Sequence, residues 1–508
     1  MSDSVSMSPA TPAAGIGTSA QPRPPLAVPW LVALSILISL WLIVLNPVIN
    51  EAAIPYLVAA RVFLEQGYAD SFAGFPRPLM PALIALCHQL TGLSLINAGL
   101  LLTSLLYILL CLVFVRTVAA LGGSGRAQCF AAAVILLQPT LGELRGAILR
   151  DPAYWALCLL ALQQLIRYCQ APSQRTALYW LAAILTACLF RLEGLLLLAF
   201  TPLALLLALP RRQRMIATLR LALPGWIFLG AIVAAGGVSL LSGVDSNLFA
   251  AFVAESSGFS GFALDRAPGL LPGQADSAWA LLGSSVALLL VQFAREFTLP
   301  WLLLLVYGGL RGLTQQLSAP SRIIINSQLL ICFLYLILYG FLSQSVPTTA
   351  ITVLLASLYL PFLLDSLWQA RQWRLPARGL AVLVLALPGS ALVTPESYRD
   401  TLDARAARWL QDHTDTNASV LSNSPRLAWL SEGQVDWGAS QPKSVEALLA
   451  DGDWRNHRYL VLRGSDALKD WYRLGAYSQF DILKVLHGRG GMIVLIAENR
   501  EYPADRGS

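Results

Sequence analysis

The residues from Asn50 to Gly92 read NEAAIPYLVAARVFLEQGYADSFAGFPRPLMPALIALCHQLTG. They lie between two apolar runs, 26–48 and about 97–121, each long enough to cross a bilayer as a helix. Between these lipid-compatible segments the stretch carries Glu51, Arg61, Glu65, Asp70 and Arg77. It also holds two short amphipathic helical patterns and an Arg-Pro-Leu stop at Arg77. Carboxylates at a membrane surface are costly unless solvated or paired, so the stretch is read as a functional connection.

Working outward, the chain of 508 residues is 56% hydrophobic and only 13% charged, which makes it a polytopic α-helical membrane protein. Apolar runs fall at about 29–46, 97–118, 128–143, 152–168, 177–190, 194–209, 221–241, 324–343, 348–366 and 379–394. The segment 278–312 is interrupted by Arg295-Glu296, so its first half is expected at the outer interface or as a re-entrant piece. Arginines crowd alternate loops: Arg116 and Arg126, Arg167 and Arg175, Arg211 to Arg220, Arg311 and Arg322, and Arg371 to Arg378. The positive-inside rule places these in the cytoplasm. Parity then requires one net crossing in 278–312, giving about eleven spans, an N-terminus inside and a C-terminus outside.

Residues 1–28, rich in Ser, Ala, Pro and Thr, read as a disordered cytoplasmic tail. Residues 29–394 form the membrane domain, with its first outward loop at 47–96. From 395 to 508 the composition changes to that of a small outward α/β domain, which holds all three lysines of the chain. There 457–464 and 490–499 read as buried strands, with a helix between them over DALKDWYRLGAYSQF. The seven cysteines fall in or beside membrane segments and read as packing residues. The net charge of +6 is explained by topology, so nucleic acid is not an expected partner.

The acids concentrate in the outward loops and no internal repeat is evident, which favours transfer chemistry over transport. A sugar carried on a polyprenyl phosphate must react at the water–lipid boundary. A carboxylate would take the proton from the acceptor hydroxyl, and arginine would hold the phosphate through its forked donors. The first loop offers Glu51, Asp70 and Arg77; the second offers Glu143, Arg145, Arg150 and Asp151; the short turn after the fifth span offers Arg191 and Glu193. Each has an ordinary alternative. Asp70 and Asp151 sit where helix caps occur, the second-loop arginines can snorkel, and Arg191 and Glu193 can be solvated turn residues. The outward loop at 242–277 reads as a solvated flap.

These residues resemble a known group. The run Tyr56–Gly67 fits Y-x-x-x-A-R-x-x-L-x-x-G, and Arg77-Pro78-Leu79-Met80-Pro81 follows where a proline-rich helix start belongs. With Arg150-Asp151-Pro152 and the Arg191-x-Glu193-Gly194 turn, the chain is similar to the GT-C glycosyltransferases, in particular the family-39-like protein mannosyltransferase and aminoarabinose transferase type. The resemblance implies direct, inverting transfer from a polyprenyl-phosphate-linked sugar to a glycan, lipid or protein acceptor. It also implies a periplasmic site on a bacterial inner membrane. Glu51 is the first candidate for general base, with Asp70 and Asp151 as alternates. Arg77, Arg145, Arg150 and Arg191 are candidate phosphate ligands, and Tyr56, Glu143 and Glu193 are further cavity residues. In this chain the family's acid position falls on Ala53, two residues after Glu51. No metal cage is evident, and a divalent cation is the one cofactor left open. An oligosaccharide polymerase or ligase, or a non-catalytic partner of an envelope assembly, are the alternative readings. A reporter joined after Ser508 is expected to be active only outside the cytoplasm, and cytoplasmic activity would overturn the topology.

Overall fold

The computed structural model describes residues 28–45, 49–50, 52–67, 79–242, 275–313, 317–343, 349–369, 401–414, 419–430, 448, 452–464, 479–488 and 492–502. Glu51, Asp70 and Arg77 lie outside these residues, as do the expected tail, the span expected at 379–394 and the helix expected after residue 464.

The chain is mostly helical. Helix α1 (Val28–Leu45) is apolar on every side: Trp30, Leu37, Leu40, Trp41 and Val44 are exposed, and Ser35 and Ser39 are buried. The first loop follows with α2 (Ala53–Glu65) packed against α3 (Leu79–Thr91). Helix α4 (Leu95–Ala120) starts at Ser94, whose hydroxyl accepts from the amide of Asn97 at 3.3 Å. Next come α5 (Gly125–Leu137), α6 (Pro139–Leu144), α7 (Asp151–Gln170) and α8 (Gln174–Phe190). Helix α7 is the centre of the bundle, sheathed by α4 and α8, and buries most of its length.

The expected span 194–209 is an interrupted run. It comprises α9 (Gly194–Phe200), a 3-10 turn (Thr201–Ala204) and α10 (Leu205–Ala208). Helices α11 (Arg214–Ser242), α12 (Ala275–Phe297), α13 (Leu299–Leu310), α14 (Ala319–Ser343), α15 (Ala350–Ser357) and α16 (Leu360–Gln369) complete the bundle.

Among the described residues, four helical stretches are long and apolar enough to cross a membrane: Leu95–Ala120, Arg214–Ala235, Ala319–Gly340 and Ala350–Gln369. The bent pair α12–α13 makes a fifth if taken together. These criteria return fewer crossings than the eleven expected. Several expected spans, such as Pro29–Val44 and Gln174–Phe190, are apolar helices of 10–17 residues. The protein is a multi-pass membrane protein.

The charged interruption at Arg295-Glu296 is an elbow of 101° between α12 and α13. Thr298 turns the corner at φ 69°, a left-handed conformation that a β-branched residue rarely adopts. Glu296 fastens the corner. Its carboxylate accepts from the Thr349 amide (3.1 Å), the Thr349 hydroxyl (2.6 Å) and the Gln292 amide (2.6 Å). Its carbonyl oxygen accepts from Gln138 (3.1 Å) and Thr140 (3.0 Å). The acid therefore also sits at the positive N-terminus of α15.

At the opposite end of the bundle, buried Asp365 accepts from Ser124 at 2.7 Å and pairs with Arg126 at 3.3 Å. The loop residues fall into two sets: Asn50, Ile148, Arg191, Glu296 and Thr349 are tied at one end, and Ser124, Arg126 and Asp365 at the other.

The C-terminal unit has α17 (Thr401–His413), β1 (Val420–Ser422), α18 (Pro425–Leu430), β2 (Tyr459–Gly464), β3 (Phe480–His487) and β4 (Ile493–Asn499). The strand order is β1-β2-β4-β3, with β1 and β2 parallel and the other pairs antiparallel. One face of the sheet buries Val461, Val494 and Ile496 under Leu402, Ala406 and Leu410 of α17. The strands expected at 457–464 and 490–499 are present, whereas β3 was not anticipated. It is an edge strand, mostly exposed and broken by a register shift between Ile482 and Lys484, so it lacks a clean alternating pattern. Helix α18 packs against α2, which joins this unit to the first loop.

Replacing Thr298 by Gly should relieve the left-handed strain at the elbow and stabilise the protein by about 1 kcal/mol. A raised unfolding temperature in detergent checks this, and an unchanged or lowered value would count against strain at the elbow.

Candidate active site

Three connections meet at the end of the bundle that holds the Glu296 elbow. Asn50 closes a two-way clamp on the backbone of Ile148, donating to its carbonyl (3.2 Å) and accepting from its amide (2.9 Å). Ile148 itself lies against Gly99 of α4, where a Cβ would stand 2.8 Å from the isoleucine side chain. The first loop is thus held to the second, two residues before Arg150 and three before Asp151.

Asp151 opens α7 as its first helical residue, not as its N-cap, which is Arg150. Its carboxylate turns instead to Arg191, whose Nη1 donates to Oδ1. Arg191 ends α8 in an extended conformation, and Glu193 stands at the start of α9, so the short turn presents both side chains together. The guanidinium donates from Nη2 (2.5 Å) and Nε (3.1 Å) to Glu193 Oε1 and lies 5.8 Å from the centre of the Tyr154 ring. Tyr335 of α14 donates its hydroxyl to the same Oε1 at 3.3 Å. Glu193 Oε2 is buried and has no hydrogen-bond partner among the described residues.

The turn lies outside the membrane-crossing helices, and its electrostatics follow from the pairing. Burial pushes the Glu193 carboxyl up. The Arg191 charge and hydrogen bonding, a hydrogen bond from its own backbone amide and a smaller contribution from Arg150 outweigh that and hold it at about 2. Burial likewise opposes the charge of Arg191, and the two carboxylates more than restore it. A cleft opens beside this group. Arg191, Glu193 and Tyr335 form its polar rim, and Trp155, Leu197, Ile331, Cys332 and Leu336 supply apolar walls.

Of the residues expected from sequence, the structure brings Arg150, Asp151, Arg191 and Glu193 together. Arg145 goes elsewhere. It is buried inside the bundle, donating to the carbonyl (3.2 Å) and hydroxyl (2.9 Å) of Ser35 and to Cys111 Sγ (3.3 Å), over the Tyr107 ring. Tyr56 is buried on α2, and Glu143 is exposed near the end of α6. Sequence reading missed Asn50 as a clamp and Tyr335 as a partner of Glu193; a tyrosine within an apolar span carries no signal of its own. Among the described residues no three His, Cys, Asp or Glu side chains gather as metal ligands.

Removing Arg191 leaves two carboxylates facing each other, so Arg191→Met should destabilise the fold by about 3–5 kcal/mol. Glu193 also makes stability depend on pH. Its folded pKa lies below the ordinary 4.5, so its contribution is complete above about pH 4.5 and is lost as pH falls towards 2. The contribution is roughly 3 kcal/mol. Unfolding temperatures measured across that window should fall more steeply for the wild type than for Glu193→Gln; parallel profiles would contradict the pairing.

No protein family and no curated protein matches the chain by sequence. Solved structures do match. ArnT from Cupriavidus metallidurans bound to undecaprenyl phosphate is 16% identical with a TM-score of 0.52, over 92% of this chain and 97% of that one. The Archaeoglobus fulgidus oligosaccharyltransferase in complex with zinc and sulfate is 12% identical with a TM-score of 0.51, over 94% of this chain and 74% of that one. The mycobacterial arabinofuranosyltransferase AftD is 15% identical with a TM-score of 0.50; 95% of this chain matches 42% of its length. At these identities what is shared is the architecture: the chain has the GT-C glycosyltransferase fold.

Proposed function

We propose that this protein is a membrane glycosyltransferase that moves a sugar from a polyprenyl-phosphate donor to a hydroxyl acceptor at the periplasmic face of a bacterial inner membrane. The observation that carries the reading is the juxtaposition, within a GT-C fold, of a charged rim built from separate loops and an apolar cleft beneath it. ArnT, a structural neighbour, was solved bound to undecaprenyl phosphate.

In this reading the acceptor oxygen attacks the anomeric carbon, the bond from that carbon to the phosphate oxygen breaks, and the polyprenyl phosphate leaves with the bonding electrons. A carboxylate takes the acceptor proton. Asp151 is committed to Arg191, which makes it a better orienting group than a base. Glu51 therefore remains first choice for the base, next in sequence to the clamped Asn50, with Asp70 as the alternate. Arg150 and Arg191 stabilise the leaving phosphate, and Arg77 is a further candidate for that role. Arg145, turned into the bundle, is assigned instead to hold the second loop against α1 and α4.

Purified protein supplied with labelled polyprenyl-phosphate sugars should transfer one of them. Glu51→Gln should lower turnover by at least ~100-fold, the scale of general-base catalysis. Asp151→Asn should weaken donor use by releasing Arg191. Full turnover in Glu51→Gln, Asp70→Asn and Asp151→Asn alike would refute the mechanism, and absence of any donor-lipid binding would favour a non-catalytic envelope partner.

A further inference from the structure

Between Pro152 and Ser242 the chain carries seven arginines and a single carboxylate, Glu193. Arg191 takes that carboxylate together with Asp151. The other six cations are Arg167, Arg175, Arg211, Arg212, Arg214 and Arg220. All six are exposed, and none forms an ion pair with a carboxylate among the described residues. They come to one end of the bundle, opposite the Arg191 turn. Helix α8 carries the chain from Arg175 to that turn, α9 and α10 bring it back, and α11 sets out again at Arg214. Gly225 of α11 lies against Leu181 of α8, so these two helices run side by side from the same end. Arg167 stands in the last turn of α7, where the Tyr168 hydroxyl donates to the Ala217 carbonyl oxygen of α11 at 3.0 Å. Arg126 on α5 differs from these six, because its charge is taken up by Asp365.

The helix itself gains nothing from these charges, since cations at the positive end of α11 are disfavoured by its dipole. Directly after them α11 turns an apolar flank outward, with Met215, Ile216, Leu219 and Leu223 each at least 44% exposed. Uncompensated arginines beside a lipid-facing flank match a phospholipid, which has an anionic head and acyl chains. We propose that this cluster binds an anionic phospholipid whose headgroup holds two phosphates, with its acyl chains lying along the outer flank of α11. The charge count selects such a headgroup: guanidinium forks pair with phosphate oxygens, and six cations without an acid exceed what one phosphodiester neutralises. A zwitterionic headgroup is disfavoured because its own cation faces the arginines. Lipid held here ties α7, α8 and α11 together at the end of the bundle away from the transfer chemistry.

The test uses full-length protein, stripped of lipid in a zwitterionic detergent and titrated with diphosphatidylglycerol while bound lipid is counted by native mass spectrometry. The wild type should bind this lipid at least ~10-fold more tightly than phosphatidylcholine. The triple variant Arg211→Gln/Arg212→Gln/Arg214→Gln should lose at least ~10-fold in affinity, since each arginine beside an anionic lipid contributes about fivefold. Added salt should weaken binding more in the wild type than in the triple variant. Arg405→Gln/Arg408→Gln, which removes two exposed charges from the C-terminal unit, should leave the affinity unchanged. Should the triple variant fail to fold, Arg212→Gln alone gives the same reading with an expected loss of about fivefold. Equal affinity in wild type and triple variant, or equal binding of phosphatidylcholine, would overturn the proposal. Full competition by free pyrophosphate at matched concentration would also overturn it, in favour of a soluble phosphate ligand. Phosphatidylglycerol, with one phosphate, bound as tightly as the two-phosphate lipid would overturn the choice of headgroup.

Discussion

The site depends on one guanidinium held between two carboxylates at the end of a helix bundle. A charge pair in a low-dielectric setting is tolerated when its geometry is good and its remaining donors are used. Arg191 meets that condition with three of its five N–H groups: one on Asp151 at the head of α7, and two on Glu193 at the head of α9. The pairing draws α7, the turn after α8 and, through Tyr335, α14 to one point. Those helices then define the cleft. Its polar rim and apolar depth follow from packing apolar helices against each other while their charged ends are tied together.

The same constraint explains which parts of the protein could be read from its sequence. Helix positions were legible because lipid-compatible runs must be long and apolar; α4 and α14 fall close to the spans predicted for them. Alternating arginines divide the loops into two sets by sequence; in the structure Asp365 is tied to Ser124 and Arg126, and Glu296 to Thr349. The elbow was visible as Arg295-Glu296 inside an apolar run. Its fastening was not, because the partners Gln138, Thr140 and Thr349 are ordinary residues far away in the chain. The Arg191-x-Glu193 turn was legible as a pair, but its tie to Asp151 spans 40 residues and has no local signature. Strand β3 escaped notice because an exposed edge strand has no buried face to impose a two-residue rhythm.

Arg145 shows why residue type alone misassigns roles. It stands in the connection before α7, close in sequence to Arg150, and carries the charge that a phosphate site needs. Yet Gly99 admits Ile148 against α4, Asn50 clamps the backbone of Ile148, and the chain between α6 and α7 turns so that the Arg145 side chain enters the bundle. There it meets Ser35, Cys111 and the face of Tyr107. A fork of donors that would serve a phosphate serves equally well to tie a loop to two helices. The surrounding chain decides which.

Charge balance carries the argument one step further. Asp151 and Glu193 offset the charges of Arg150 and Arg191, so this cluster is close to neutral before any substrate arrives. In the reading proposed above, an incoming phosphate would meet directed N–H donors rather than a net positive field, and would compete with carboxylates already in place. Such a site binds by directed hydrogen bonds, which favours a ligand of the right shape over any anion. It also separates two duties that a single acid could not combine. A carboxylate that holds an arginine has its lone pairs engaged, while a base must have one free for the acceptor proton. With Asp151 and Glu193 Oε1 both engaged, the reading proposed above assigns the base to the first loop, where the clamp at Asn50 holds the chain to Ile148.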